Sequence, residues 1–355
     1  MHSRFGLTLI VNHACNLRCT YCYTGDKFRR SMPREVATKA IDRAISSIER
    51  GGALDLAFFG GEPLIEAELI LDLIQHVRRR AADHDVEIAF SMTTNGTFDS
   101  PAAWSVVMQA DMRLTLSHDG LPDVHDRHRV AIDGHGSSQR VLNTMGRLGE
   151  LGKEFRVVMV VQPGTADSLA AGLEFLYEHG VRQFDPSLNL WTVWTRADGE
   201  RLKSSIAEAA DFWVARLPEC SVSWFDEKVA RISSIPITET ARCGFGFGEI
   251  AVTPAGNLYP CERLVGADEP TNAMRLPGNV FDGDDFLSIR NEAIHSPDEC
   301  SPCMIKSQCS TMRCRCSNYV RTNDVNRPDG LLCLLDQACY RETVRVMESR
   351  MVVNT

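Results

Sequence analysis

Apolar positions along this chain recur first with the spacing of a strand and then with that of a helix, and the alternation repeats. Residues 7–11 form a short, mostly apolar run and read as the first strand. Residues 34–50 carry Val36, Ala40, Ala44, Ile45 and Ile48 at helical spacing, closed by Gly51 and Gly52. The cycle returns as a strand over 54–59 and a helix over 65–80, then a strand over 86–92 and a helix over 102–110. A strand over 113–117 with a helix over 140–151, a strand over 155–161 with a helix over 168–179, and a strand over 183–188 complete it. Units of this length imply a parallel sheet, right-handed crossovers and functional loops at the strand C-termini. The expected fold class is therefore α/β, a curved partial barrel of six units. That is fewer than a closed eightfold barrel needs, and an open mouth admits a bulky substrate.

The periodicity fades after residue 190. A helix is expected over 204–217, and Trp191, Trp194, Trp213 and Trp224 are read as core. Cys220 sits outside every cluster spacing and reads as a buried small hydrophobe. The expected organisation is a barrel over 1–190, a linker or helical region over 191–240, a cysteine-rich domain over 241–340 and a C-terminal helix over 341–355.

Composition changes this picture in two ways. At 355 residues and 44% hydrophobic content the chain can bury one large core and a smaller domain. A net charge of −9 argues against nucleic-acid or anionic-membrane partners, which require clustered Lys and Arg; the run Arg78, Arg79, Arg80 reads as a solvated helix end. Arg4 and Asn12 interrupt the N-terminal apolar stretch, and no apolar run is long enough to span a bilayer, so a cytoplasmic protein is expected. Thirteen cysteines in such a protein point to metal or redox chemistry rather than disulfides, and ten of them lie beyond residue 219.

The first cysteines follow the first strand directly. Cys15, Cys19 and Cys22, at CxxxCxxC spacing, can converge from one loop on a single iron–sulfur cube and leave its fourth iron open. Structural zinc is the competing reading, but no fourth Cys or His follows soon after Cys22. With Tyr21 before the last Cys, the motif resembles the signature of radical S-adenosylmethionine (SAM) enzymes. That resemblance implies a (β/α)6 barrel and a 4Fe-4S cluster whose open iron binds SAM and splits it to a 5′-deoxyadenosyl radical. It also assigns the later loops. Gly60, Gly61, Glu62 and Pro63 are similar to the family's GGEP motif, so Gly60, Gly61 and Glu62 are expected at the amino group of SAM; the plain reading is a turn before a helix. Thr93 to Gly96 matches a TNG segment to which no direct role is assigned. The run from Ser117 to Gly120, followed by His125, Asp126 and Arg129, resembles a motif in which the Ser hydroxyl reaches the ribose of SAM. His118 replaces the usual apolar residue there and is read as a solvated loop histidine, with a tuned base as the other reading. Arg140 is placed near the SAM carboxylate.

From residue 243 the spacing of cysteines resembles the SPASM extension of peptide-modifying radical SAM enzymes, which implies two auxiliary 4Fe-4S clusters. The first would use Cys243, Cys261 and Cys314 or Cys316, since Arg313 occupies the family's Cys position; the second would use Cys300, Cys303, Cys309 and Cys333, with Cys339 as an alternative last ligand. Zinc-ribbon spacing remains a competing reading. Glu262, directly after Cys261, matches the setting of an acidic base in sulfatase-maturing relatives, where Asp is usual; a surface Glu paired with Arg263 is the other reading.

Function is expected accordingly. The leading reading is a maturase that oxidatively crosslinks a ribosomally made precursor peptide through a thioether or carbon–carbon bond. Formylglycine formation from Cys or Ser is the alternative, and an iron–sulfur electron carrier without radical chemistry the third. A reductant such as flavodoxin or ferredoxin is implied. Because fourteen residues precede Cys15, a separate leader-peptide-binding protein, or direct docking on the barrel mouth, is expected.

Overall fold

The structure, a computed structural model, describes residues 1–233, 244–289, 300–310 and 314–353. The chain divides into two compact units, each assembled from two stretches of sequence: residues 1–116 with 243–293, and residues 117–242 with 294–355.

In the first unit β1 (His2–Asn12) is an interior strand, parallel to β2 (Ile48–Gly60) on one side and to β8 (Glu249–Val252) on the other. Beyond β2 lie β3 (Glu87–Thr94) and β4 (Met112–Ser117), also parallel, and β9 (Leu258–Tyr259) closes the far edge as an antiparallel partner of β8. The position of β1 explains its sequence: Leu7, Leu9, Ile10 and Val11 are buried on both faces, with only the buried Thr8 interrupting the apolar run, where β2 alternates. The helices α1 (Arg34–Ser46), α2 (Ala67–His84) and α3 (Pro101–Val107) provide the crossovers. Ser100 caps α3 by accepting the amide of Ala103, with Pro101 at the first helical position.

One boundary differs from the sequence pattern. Gly51 and Gly52 belong to β2 and do not close α1, which ends at Ser47, whose hydroxyl donates to the carbonyl of Arg43 at 2.8 Å. The same hydroxyl accepts the amide of Phe286 at 2.8 Å, so the C-terminal stretch is fastened where the helix stops. Arg43, buried, completes that fastening by donating to the carbonyls of Asn279, Val280 and Asp285 while its guanidinium stacks over Phe286 at 4.3 Å.

The second unit has β5 (Phe155–Val161), β6 (Gln183–Leu188) and β7 (Ser221–Val222) in parallel, with α4 (Pro122–His128), α5 (Ser138–Glu150), α6 (Leu169–Glu178), α7 (Arg196–Ala215), α8 (Ser223–Ile232), α9 (Arg315–Thr322) and α10 (Gly330–Val353). A Thr195 and Asp198 capping box starts α7, and α10 packs on α7 and α8. Trp213 and Cys220 are core residues here, whereas Trp191 is 45% exposed. Among the described residues no helix is long and apolar enough to cross a membrane.

Candidate functional site

The cysteine loop leaves the C-terminal end of β1 and leaves its thiols accessible: Cys15 and Cys19 are half-buried and Cys22 is exposed, while Leu17 between them anchors the loop in the core. The amide of Cys22 donates to the carbonyl of Cys19, a turn that brings these two onto one rim. Burial pushes the Cys15 thiol up to about 11. Burial acts the same way on Cys22 but is outweighed by hydrogen bonding to Lys27 and Thr24, so that thiol lies below its ordinary value.

The loop after β2 is pressed against the cysteine loop. Gly61 donates its amide to the carbonyl of Asn12 at 3.2 Å, and Glu62 donates to that of Ala14 at 2.8 Å. A Cβ at Gly61 would lie 2.2 Å from the Ala14 oxygen, and one at Gly60 2.5 Å from the Asn12 oxygen, where φ is +149°. Only glycine permits this approach. The Glu62 carboxylate, 3% exposed as a residue, accepts from the amide of Leu64 (3.1 Å), the hydroxyl of Thr94 (2.7 Å) and the amide of Asn95 (2.8 Å). Burial pushes its pKa up against those three bonds. The TNG segment thereby becomes the third wall. Asn95 donates from its side-chain amide to Asn16 Oδ1 (2.8 Å) and to Cys15 Sγ (3.7 Å), and Asn16 donates to Thr97 Oγ1 (2.8 Å).

Cys261 and Glu262 follow β9 in the same unit. The Cys261 thiol donates to Glu262 Oε2 at 3.4 Å, and the buried phenol of Tyr23, next to Cys22, feels the charges of both Glu262 and Arg263. Burial and the nearby carboxylate push that phenol far above its usual value. Glu262 is half-buried, and its charge reaches the residue that follows the radical-loop cysteines.

In the second unit Ser117 is buried at the end of β4, and Asp119 takes the amide of Val160 (3.0 Å) and both arms of Arg129 (3.1 Å each), a closed internal pair. His118 is not a solvated loop residue. It is fully buried, 4.1 Å from the ring of His125, because the turn and α4 fold over it. The amide of Gly120 donates to His118 Nδ1 and that of Asp119 to His125 Nδ1, so both rings carry their proton on Nε2, donated to Ser138 and Ser137. Burial pushes both imidazoles down, His118 to about 3. The unfolded chain binds protons on these rings from about pH 6.5 downward and the folded chain does not, so the stability they contribute is complete above pH 6.5 and is lost as pH falls toward 3. At pH 5 each ring costs about 2 kcal/mol. His118→Gln should therefore lessen the drop in thermal midpoint measured between pH 7 and pH 5; an unchanged drop would refute the assignment. Arg140 stands at an exposed position in the first turn of α5.

The later cysteines fall into distinct settings. Cys300, Cys303, Cys309 and Cys333 line one cavity together with Lys306, Asp336 and neighbouring residues. Burial and the other three thiols push Cys333 up to about 11. Cys333 lies in the first turn of α10, whose N-terminus favours a thiolate. Cys339 does not line the cavity; it is buried one turn and a half further along α10, and burial pushes its thiol far up. Cys314 and Cys316 lie with their sulfurs 3.5 Å apart, and Cys314 is 2.9 Å from Ser317 Oγ. Cys243 lies outside the described residues.

Residues 9–176 match the sequence profile of the radical SAM superfamily. These residues form a radical SAM domain. It is 23% identical over 280 residues to the cysteine-type anaerobic sulfatase-maturating enzyme of Clostridium novyi, spanning 73% of this chain and 74% of that protein. It is 24% identical over 333 residues to the serine-type enzyme of Klebsiella aerogenes, spanning 84% and 76%. The solved structure of anSMEcpe with bound AdoMet and the Cp18Cys peptide shares its fold at a TM-score of 0.77, with 20% identity and 99% of both chains covered. Streptococcus suis SuiB bound to precursor peptide SuiA shares it at 0.61, with 16% identity over 93% of this chain and 76% of that one. The fold is that of a radical SAM partial barrel.

A radical SAM enzyme uses a 4Fe-4S cluster and SAM, and the residues at the end of β1 fit that cluster: three accessible thiols on one loop, with amide donors behind Cys15. Among the described residues no three His, Cys, Asp or Glu side chains converge on a single metal ion. Sequence reasoning missed the Asn16, Asn95 and Thr97 network, for which the TNG turn beside a cysteine loop was the available signal. It also missed Lys228, 2% exposed, which donates to Asp336 (2.6 Å), Ser310 Oγ (2.8 Å) and the carbonyl of Gln308 (3.0 Å). No local pattern announces a pair 108 residues apart.

Proposed function

We propose that this radical SAM enzyme oxidatively modifies a ribosomally made peptide, joining two of its residues by a thioether or carbon–carbon bond. When bound at Cys15, Cys19 and Cys22, the cluster and SAM supply a radical able to take a hydrogen atom from carbon. Gly60, Gly61 and Glu62 would receive the amino group of SAM, Ser117 would reach its ribose, Arg140 would stand near its carboxylate, and Tyr21 would border the cofactor. The carboxylate of Glu262, which accepts from the Cys261 thiol, would take the proton that must leave as the new bond closes.

The observation that carries the oxidative reading is the second thiol set, Cys300, Cys303, Cys309 and Cys333, around one cavity. Net removal of two hydrogens requires somewhere for an electron to go, and an auxiliary 4Fe-4S cluster in that cavity is such a place. Cys261 with Cys243 and Cys314 or Cys316 would hold another. A flavodoxin or ferredoxin would reduce the radical cluster, and the peptide would dock at the barrel mouth or through a separate leader-binding protein.

Formylglycine formation is the second reading, favoured by the resemblance to cysteine-type and serine-type anaerobic sulfatase-maturating enzymes over most of the chain. Mass spectrometry separates the two. Short peptides encoded beside the gene are co-expressed with the enzyme under low oxygen, using a Cys15→Ala, Cys19→Ala, Cys22→Ala variant as control. Loss of two hydrogens per site, with fragmentation blocked between the joined residues, supports crosslinking. An aldehyde at a single Cys or Ser supports the alternative. Unchanged peptides, with SAM left uncleaved, would sink both.

A further inference from the structure

We propose that Asn95 is a positioning residue of the radical cluster: its side-chain amide donates a hydrogen bond to Cys15 Sγ and raises the cluster's reduction potential. The inference rests on Cys15, Cys19 and Cys22 being the ligands and is independent of the peptide product.

The direction of the amide is fixed by its surroundings. Thr97 donates both its backbone amide (2.9 Å) and its hydroxyl (2.7 Å) toward Asn95 Oδ1. A backbone N–H can only donate, so that atom is the oxygen and the nitrogen faces the other way. There it meets Asn16 Oδ1 at 2.8 Å and Cys15 Sγ at 3.7 Å. Both hydrogens of the amide are assigned. The backbone is fixed as well, since the amide of Asn95 donates to Glu62 Oε2 at 2.8 Å and Thr94 donates to Glu62 Oε1. Glu62 itself is anchored to the cysteine loop through its own amide and carbonyl, the latter taking Asn12 Nδ2 at 3.0 Å. Loop and donor thus form one closed circuit of hydrogen bonds, buried at Glu62, Thr94, Asn95 and Thr97.

The sulfur of Cys15 also accepts the amide of Leu17 at 3.4 Å. A donor aimed at a ligand sulfur stabilises the more negative, reduced cluster, and it does so most in a site shielded from water. Asn95 thereby makes the electron that splits SAM easier to load. This gives the TNG turn a function that its composition alone does not suggest.

The test is Asn95→Leu, which keeps the approximate volume and removes the donor. The reconstituted full-length protein is titrated electrochemically while the EPR signal that changes on adding SAM is followed, since auxiliary clusters do not respond to SAM. Iron and sulfide counts equal to the unsubstituted protein, with the ratio of reduced to oxidised cluster at fixed potential lowered about tenfold, support the inference; for a one-electron couple that is about 59 mV. Equal counts with an unchanged potential overturn it. Should Asn95→Leu fail to load, the unsubstituted protein decides: asparagine labelled with 15N in its side-chain amide must show a hyperfine coupling in the SAM-responsive signal, and its absence overturns the proposal. A Cys15→Ala control that keeps the SAM-responsive signal would overturn the ligand reading and this inference with it.

Discussion

Lys228→Met is expected to cost about 3–5 kcal/mol of stability and, with the proposed auxiliary cluster in the four-cysteine cavity, to lower the iron the protein binds. The lysine is buried with its charge balanced by Asp336, and the pair's remaining valences are used by the chain: Lys228 holds Ser310 Oγ and the Gln308 carbonyl, and Asp336 takes the amide of Ser310 at 3.1 Å. Cys309 lies between those two anchored residues. Removing the ammonium leaves a carboxylate buried without its partner and frees the segment that carries one of four thiols. Lys228→Met with Asp336→Leu separates the effects, because a pair of apolar side chains of similar volume restores much of the stability lost when one charge is stranded. The double variant should regain its thermal midpoint and still bind less iron. Normal iron content in Lys228→Met would show that Cys309 needs no such fastening.

The strands and crossovers were legible because their pattern is dictated locally. β5 and β6 fall where the apolar runs place them, and the interior position of β1 is written in its lack of alternation. What misled was punctuation: Gly51 and Gly52 look like a helix stop, yet the stop is made by Ser47 returning to Arg43, a bond no glycine rule anticipates. The two short strands β8 and β9 are too brief to show a period and form because β1 and β8 offer each other a ladder. The cysteine spacing located the thiols, but not what stands behind them. Asn95, Glu62 and Lys228 act through partners dozens of residues away, and such closures arise only when the chain has folded. His118 shows the same limit from the other side. A histidine in a polar turn reads as solvated until α4 and Ser138 are seen to enclose it.

The largest effect of a single methyl group is expected at Gly61. In Gly61→Ala the new carbon would meet the Ala14 oxygen at 2.2 Å, its carbonyl carbon at 2.6 Å and the His13 oxygen at 2.8 Å. All three are backbone atoms, so no side chain can swing aside and the two loops must part. Parting them breaks the bonds from Gly61 to Asn12 and from Glu62 to Ala14, and with them the register of the carboxylate that holds Asn95 against Cys15. Displacement of about 1 Å at a reacting centre is worth about a hundredfold in rate. SAM cleavage, followed as deoxyadenosine formed with a chemical reductant, should fall by at least that factor. Gly51→Ala is the matched control. Gly51 also has positive φ, +77°, but a Cβ there has no atom within 4 Å, so only the backbone strain of about 1 kcal/mol is incurred and cleavage should be unchanged. If Gly61→Ala cleaves SAM as fast as Gly51→Ala, the glycine approach is a matter of folding alone and the β2 loop does not set the geometry of the cluster.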